Sequence, residues 1–172
     1  MSAQDEMRLL LASRLDSHDA HVGFDRAVAD FPEGLRGVVP PGFAHSCWQF
    51  VEHMRRAQAD ILDFCVNPDY AYPTSIGDYW PAVAPADDGE WQAGIAGFLD
   101  GVHSLKQLAL DDAIDPFASV PRGDGTQTYA RELLLAADHN AYHLGQLVSA
   151  RRVLGCWVDA PGWSAHKAPS RP

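Results

Sequence analysis

The sequence predicts an all-α protein built as one four-helix bundle. Three observations carry that prediction: long segments with apolar residues at steps of three and four, helix-start signals at their heads, and Gly- and Pro-rich breaks between them. No segment shows the period-two alternation with β-branched enrichment that a strand needs. At 172 residues the chain suits a single domain, 1–172, with room for a proper core.

The first helix is expected to start near Ser2, with Asp5 completing a capping-box-like pair, and to run to His18 or slightly beyond on Met7, Leu11 and Leu15. A short helical piece follows around Phe24 to Phe31. Pro32, Gly34, Gly37, Pro40, Pro41 and Gly42 then read as a linker. The second helix opens on Ser46 and Gln49, an S-x-x-Q capping box, buries Phe50, Met54, Ala57, Ile61 and Phe64, and stops at Asn67 and Pro68. The connection from Pro68 to Ala86 is rich in Tyr and Pro. A connection of that length is usually functional, or folded over the surface by its own aromatics.

Asp87 and Glu90 open the third helix, whose seam is Trp91, Ile95, Phe98, Val102, Leu105 and Ala109. Pro116, Pro121, Gly123 and Gly125 break the chain again. The fourth helix runs from Thr126 or Thr128 to Leu154, with Arg151 and Arg152 in its last turn and Gly155 beyond its end. From about Cys156 the tail is expected to be irregular, with Trp157 and Trp163 able to pack back.

Charge narrows the function classes. Acidic residues number 23 against 13 basic, a net charge of −10, which repels phosphate backbones and anionic lipid. Neither nucleic acid nor membrane is therefore expected as a partner, and no apolar run approaches the ~20 residues needed to span a bilayer. The N-terminus, MSAQDEMRLLLASRL, lacks the basic-then-apolar order of a signal peptide. Cys47, Cys65 and Cys156 are odd in number and widely spaced, as expected of free thiols in a reducing compartment. A cytoplasmic location follows.

The histidines carry the candidate chemistry. His139 and His143, in DHNAYHLGQL, are four apart on the fourth helix, so their side chains share a face with Cβ atoms about 5–6 Å apart. With metal–nitrogen bonds of about 2.0–2.1 Å, such a pair can chelate one ion. Alone, H-x-x-x-H is a weak motif, and a lone core histidine is more often hydrogen-bonded than a ligand. His53 changes the balance: it lies on the inward face of the second helix, and three buried imidazoles without an ion are costly to satisfy. The expected metal ligands are His53, His139 and His143, and the expected cofactor is a divalent metal.

The site is not that of a zincin protease, because Asn140 stands where H-E-x-x-H requires its glutamate. Three protein ligands leave coordination positions open, so the ion can polarise a substrate or activate a water or thiol. Gln146 and Glu132 share the helix face of the pair, although the plainer reading of each is a solvated or bundle-end polar residue. His45 either lines the mouth of the site or is an ordinary loop residue, the plainer reading. His18 and His21 either reach the same cavity or, the plainer reading, are surface or core-packing residues. His103 and His166 are expected in solvent.

The segments HSCWQFVEHMRRAQADILDF, from His45 to Phe64, and DHNAYHLGQLVSARRVLG, from Asp138 to Gly155, resemble the DinB-like superfamily, over roughly Met7 to Trp157. That resemblance implies an up-down-down-up bundle, a homodimer, and Zn or Ni held on three histidines. Carried over by position, those ligands fall again on His53, His139 and His143. It implies no single activity. Some members are thiol-dependent transferases or isomerases that use the metal to activate a low-molecular-weight thiol, but no residue pattern here marks a thiol pocket. Two functions therefore stand: a metal-dependent transferase or hydrolase acting on a small molecule, or a non-enzymatic, stress-related protein that binds a metal or small ligand. A purely structural helical domain is the third reading.

Overall fold

The computed structural model describes residues 2–16 and 19–158. His18, Trp163, His166 and the tail from 159 onward lie outside the described residues. Within them the chain forms α1 (Ala3–Leu15), α2 (Phe24–Val28), α3 (Cys47–Val66), α4 (Asp88–Leu110) and α5 (Tyr129–Val153), with 3-10 turns at Glu33–Leu35 and Ile76–Tyr79. The described residues contain no strand, only an isolated bridge between Ser119 and Thr128. The protein is an all-α helical bundle.

Local chemistry sets the helix ends. Ser2 with Asp5, and Ser46 with Gln49, form complete capping boxes, each side chain answering a backbone N–H that the first turn leaves free. Asp87 and Thr128 cap α4 and α5 through the amides of Glu90 and Arg131. Thr128, not Thr126, is the start of α5, because Thr126 is already tied by its amide and hydroxyl to the Asp124 carboxylate. α1 stops at Leu15, short of His18: Asp16 leaves helical geometry, and its carboxylate pairs with Lys106 of α4 at 2.6 Å. At the end of α5, Gly155 takes φ +72°, a left-handed conformation natural only to glycine. The Gly155 and Cys156 amides then return to the carbonyls of Arg152 and Arg151, the two bonds of a Schellman turn.

Packing brings α3 against both α4 and α5, while α1 closes the far side against the same two helices. α3 and α4 run side by side in the same direction, since Gly94, Gly97 and Gly101 meet Trp48, Arg55 and Gln58 in order. The approach is close: a Cβ at Gly94 would stand 2.7 Å from the Trp48 ring. α3 and α5 run oppositely, with Phe50 beside His143 and His53 beside both His139 and His143. α1 opposes α4, where the buried Arg8 donates to the carbonyls of Asp111, Asp112 and Ile114 just past the α4 terminus.

The expected seams are buried: Phe50, Met54, Ala57 and Phe64 on α3, and Trp91, Phe98, Val102, Leu105 and Ala109 on α4. Ile61 and Ile95 are half-buried against the core. Arg151 is more than a helix-end charge. At 3% exposure it donates to the carbonyls of Ala27, Ala29 and Cys156, pinning α2 and the chain after α5 to the bundle. All three cysteines are free, and burial pushes the Cys47 and Cys65 thiols up to about 12, leaving them unreactive at neutral pH. No helix among the described residues is long and apolar enough to cross a membrane.

Candidate metal centre

α3 and α5, passing in opposite directions, bring His53, His139 and His143 together, with one ring nitrogen from each within 4.8 Å of the others. His53 and His143 are each 8% exposed and His139 is half-buried. The Nε2 atoms of His53 and His139 face each other at 3.1 Å. Two imidazoles on one ion, at about 2.0–2.1 Å each, place their nitrogens about 2.9 Å apart in octahedral and about 3.3 Å apart in tetrahedral geometry. The observed separation falls between these values.

The outer nitrogens fix the ring tautomers. The Nδ1–H of His53 donates to the Tyr79 carbonyl at 3.3 Å, and that of His143 to Gln146 Oε1 at 2.7 Å. Gln146 is itself oriented by donating its amide N–H to the Tyr142 hydroxyl. Both histidines thereby turn an unprotonated Nε2 inward, as a metal ligand requires. His139 Nδ1 is buried without a partner among the described residues.

Electrostatics point the same way. Burial, with repulsion from His143, lowers the pKa of His53 to about 4. Burial, with repulsion from His143 and His53, lowers that of His139 to about 4. His143 is also lowered, by burial first, although its bond to Gln146 works in the opposite direction. The three rings are therefore neutral at pH 7, the protonation state that binds metal. Nitrogen-only donors, neutral rings and converging lone pairs fit a divalent ion.

The connection between α3 and α4 runs back along α3 and covers this cluster. Ser46, Gln49, His53 and Arg56 donate in turn to the carbonyls of Val83, Pro81, Tyr79 and Asp78. Asp60 accepts the hydroxyls of Tyr70 and Tyr79. The indole of Trp80 lies parallel to His53 at 3.9 Å, and His45 stacks on it at 3.5 Å. The buried Glu52 carboxylate holds Arg55 and Arg56. Burial alone would raise its pKa, but the two guanidiniums outweigh that and hold it below the usual carboxylate value.

Sequence reasoning missed Trp80, the Tyr79 carbonyl and the Glu52–Arg56 pair. A signal for them existed: Ser46, Gln49, His53, Arg56 and Asp60 recur at steps of three and four, a polar stripe along one side of the helix. Two plainer readings are corrected. Gln146 bonds His143 directly and is not simply a solvated residue. His45 belongs to the stack over the site, not to an uninvolved loop. Glu132 fits neither reading: it is buried, 2% exposed, paired with Arg131 and beside Cys65, away from the histidines. His21 and His103 are exposed, as expected of His103.

No curated protein and no solved structure matches the chain. Residues 19–147, three quarters of its length, match the sequence model of the DinB superfamily. The match spans α2 to α5 and contains all three histidines. With the helical bundle and the histidine cluster in place, the matched sequence leads to one conclusion: the chain belongs to the DinB superfamily.

Proposed function

We propose that this protein is a divalent-metal-dependent transferase or hydrolase whose ion, Zn or Ni, is held by His53, His139 and His143. The observation that carries the reading is the convergence of three neutral imidazoles, with His53 and His139 Nε2 only 3.1 Å apart. When bound, such an ion supplies Lewis acidity that lowers the pKa of a water or thiol at its remaining positions. The chain's own residues do the rest. Tyr79 and Gln146 hold the rings of His53 and His143 in the ligating tautomer. Trp80 and Phe50 flank the cluster with apolar rings and shield it from bulk water.

The substrate class in this reading is a small electrophile accepting a low-molecular-weight thiol or water. A homodimer belongs to the same reading, supported by exposed leucines on two helices that pack together, Leu9 and Leu10 of α1 and Leu134 and Leu135 of α5. The competing non-enzymatic reading draws on the flat cover of Trp80 over His53. Metal analysis of the purified protein tests the site. About one ion per chain is expected in the wild type and none at stoichiometric level in His139→Ala, because two imidazoles hold the ion poorly. Full occupancy in that variant would remove the assignment. A cobalt-substituted sample whose visible spectrum ignores added thiol, together with no turnover of any thiol–acceptor pair, would favour the non-enzymatic reading.

A further inference from the structure

Two of the three clustered histidines have an acceptor behind the ring, and one does not. The Nδ1–H of His53 meets the Tyr79 carbonyl, and that of His143 meets Gln146 Oε1. His139 turns its Nε2 towards His53 at 3.1 Å, so in the ligating tautomer its proton sits on Nδ1. That nitrogen is buried, and no acceptor of ordinary hydrogen-bond geometry faces it among the described residues. An N–H left so loses the hydration it had in the unfolded chain and regains nothing.

The next residue along α5 has the complementary need. Asn140 is 6% exposed, and neither its Oδ1 nor its Nδ2 has a hydrogen-bond partner among the described residues. The two side chains lie close enough to act on each other. Burial, His143 and His53 all disfavour a proton on His139, and Asn140 alone works the other way, the sense expected of an amide oxygen near a ring N–H. Asn140 also stands where H-E-x-x-H has its glutamate. An amide cannot take up a proton as that glutamate does, but its oxygen accepts a hydrogen bond.

We propose that Asn140 is the positioning residue of His139, its Oδ1 accepting the Nδ1–H of the ring whose Nε2 binds the ion. This rests on the metal reading proposed for the site. Each ligand then has one oxygen behind it: the connection supplies it to His53, a side chain three residues on to His143, and the adjacent side chain to His139. All three acceptors are uncharged, so none draws the rings towards imidazolate. The ion keeps the charge that three neutral rings leave it, and with it the Lewis acidity.

The full-length protein, zinc alone and two substitutions test the assignment. Asn140→Leu keeps the size of the side chain and removes its oxygen, whereas Asn140→Asp keeps an oxygen acceptor. Zinc affinity, measured by competition with a chromophoric chelator, should fall by about 10–100-fold in Asn140→Leu. It should not fall in Asn140→Asp, whose carboxylate accepts more strongly. Without metal, Asn140→Leu should unfold at the same urea concentration as the wild type or a higher one, because it buries one unmet amide fewer. An asparagine that served only the fold would move both measurements down together. In the zinc-loaded, isotope-labelled wild type, NMR should find the His139 ring N–H protected from solvent exchange, and Asn140→Leu should lose that protection. Equal zinc affinity in wild type and Asn140→Leu overturns the assignment and leaves the metal reading standing. So does an equal loss of affinity in both variants, a joint fall in affinity and metal-free stability, or an unprotected His139 proton in the wild type. A wild-type protein that takes up no zinc removes the assignment and the metal reading together.

Discussion

Each histidine in the cluster has two nitrogens with different tasks, and the outer contacts decide which task each performs. For His143 the outer partner is Gln146, at 2.7 Å. Gln146→Leu removes that acceptor while leaving all three ligands in place. Metal affinity, measured by competition with a chromophoric chelator, should fall by about 10–100-fold; an unchanged affinity would mean that Gln146 does not orient the ring. Protonation supplies a second prediction. Histidine in an unfolded chain titrates near pH 6.5, whereas His53 and His139 resist protonation down to about 4. Between those values the unfolded chain binds more protons, so the metal-free protein should lose stability as pH falls from about 6.5 to about 4. Denaturant midpoints across that range should drop in the wild type and drop less when both histidines are replaced by Gln. An equal drop in both would assign the effect to other groups.

At the scale of elements, two glycines in equivalent secondary structure sit in opposite surroundings. Gly94 of α4 lets the helix close on Trp48, and a Cβ there would stand 2.7 Å from the indole. Gly145 of α5 is exposed with nothing within 4 Å of an added Cβ. Gly94→Ala should therefore destabilise the fold by about 1–3 kcal/mol through overpacking. Gly145→Ala should stabilise it by about 0.5–1 kcal/mol, because alanine loses less backbone freedom on entering a helix. Urea unfolding of the two variants should show shifts of opposite sign, and two shifts of the same sign would contradict the packing described. The connection before α4 is also an element with a job. It returns the chain to the starting end of α3, so that two consecutive helices run the same way, and on that path it is docked by the polar stripe of α3.

On the scale of the whole molecule, the cluster joins α3 to α5, two neighbouring helices of the bundle. An ion there would bind the folded chain and not the unfolded one. Loading should raise stability by about 2.7 kcal/mol when the free ion is at a hundred times its dissociation constant. The melting temperature should rise on loading and return on chelation, and His139→Ala should show no such gain. A melting temperature indifferent to both would leave the helices holding the bundle without help from a metal.

The amino-acid sequence alone determined the helices, because their signals are local. Capping pairs such as Ser46 with Gln49, and apolar steps such as Trp91 to Ala109, act within a few turns and need no distant partner. It also singled out His139 and His143, whose common face follows from a four-residue step, and His53, whose inward face follows from its apolar neighbours. What covers the site was decided by tertiary structure. Trp80 meets His53 only because the connection folds back along α3, and its place depends on carbonyl bonds that no residue type announces. Gln146 and Glu132 share a face of one helix in sequence, yet one reaches the histidines and the other is buried beside Cys65. Helical periodicity places a side chain around the helix axis, while its height along the bundle, and so its neighbours, are set only by how the helices pack.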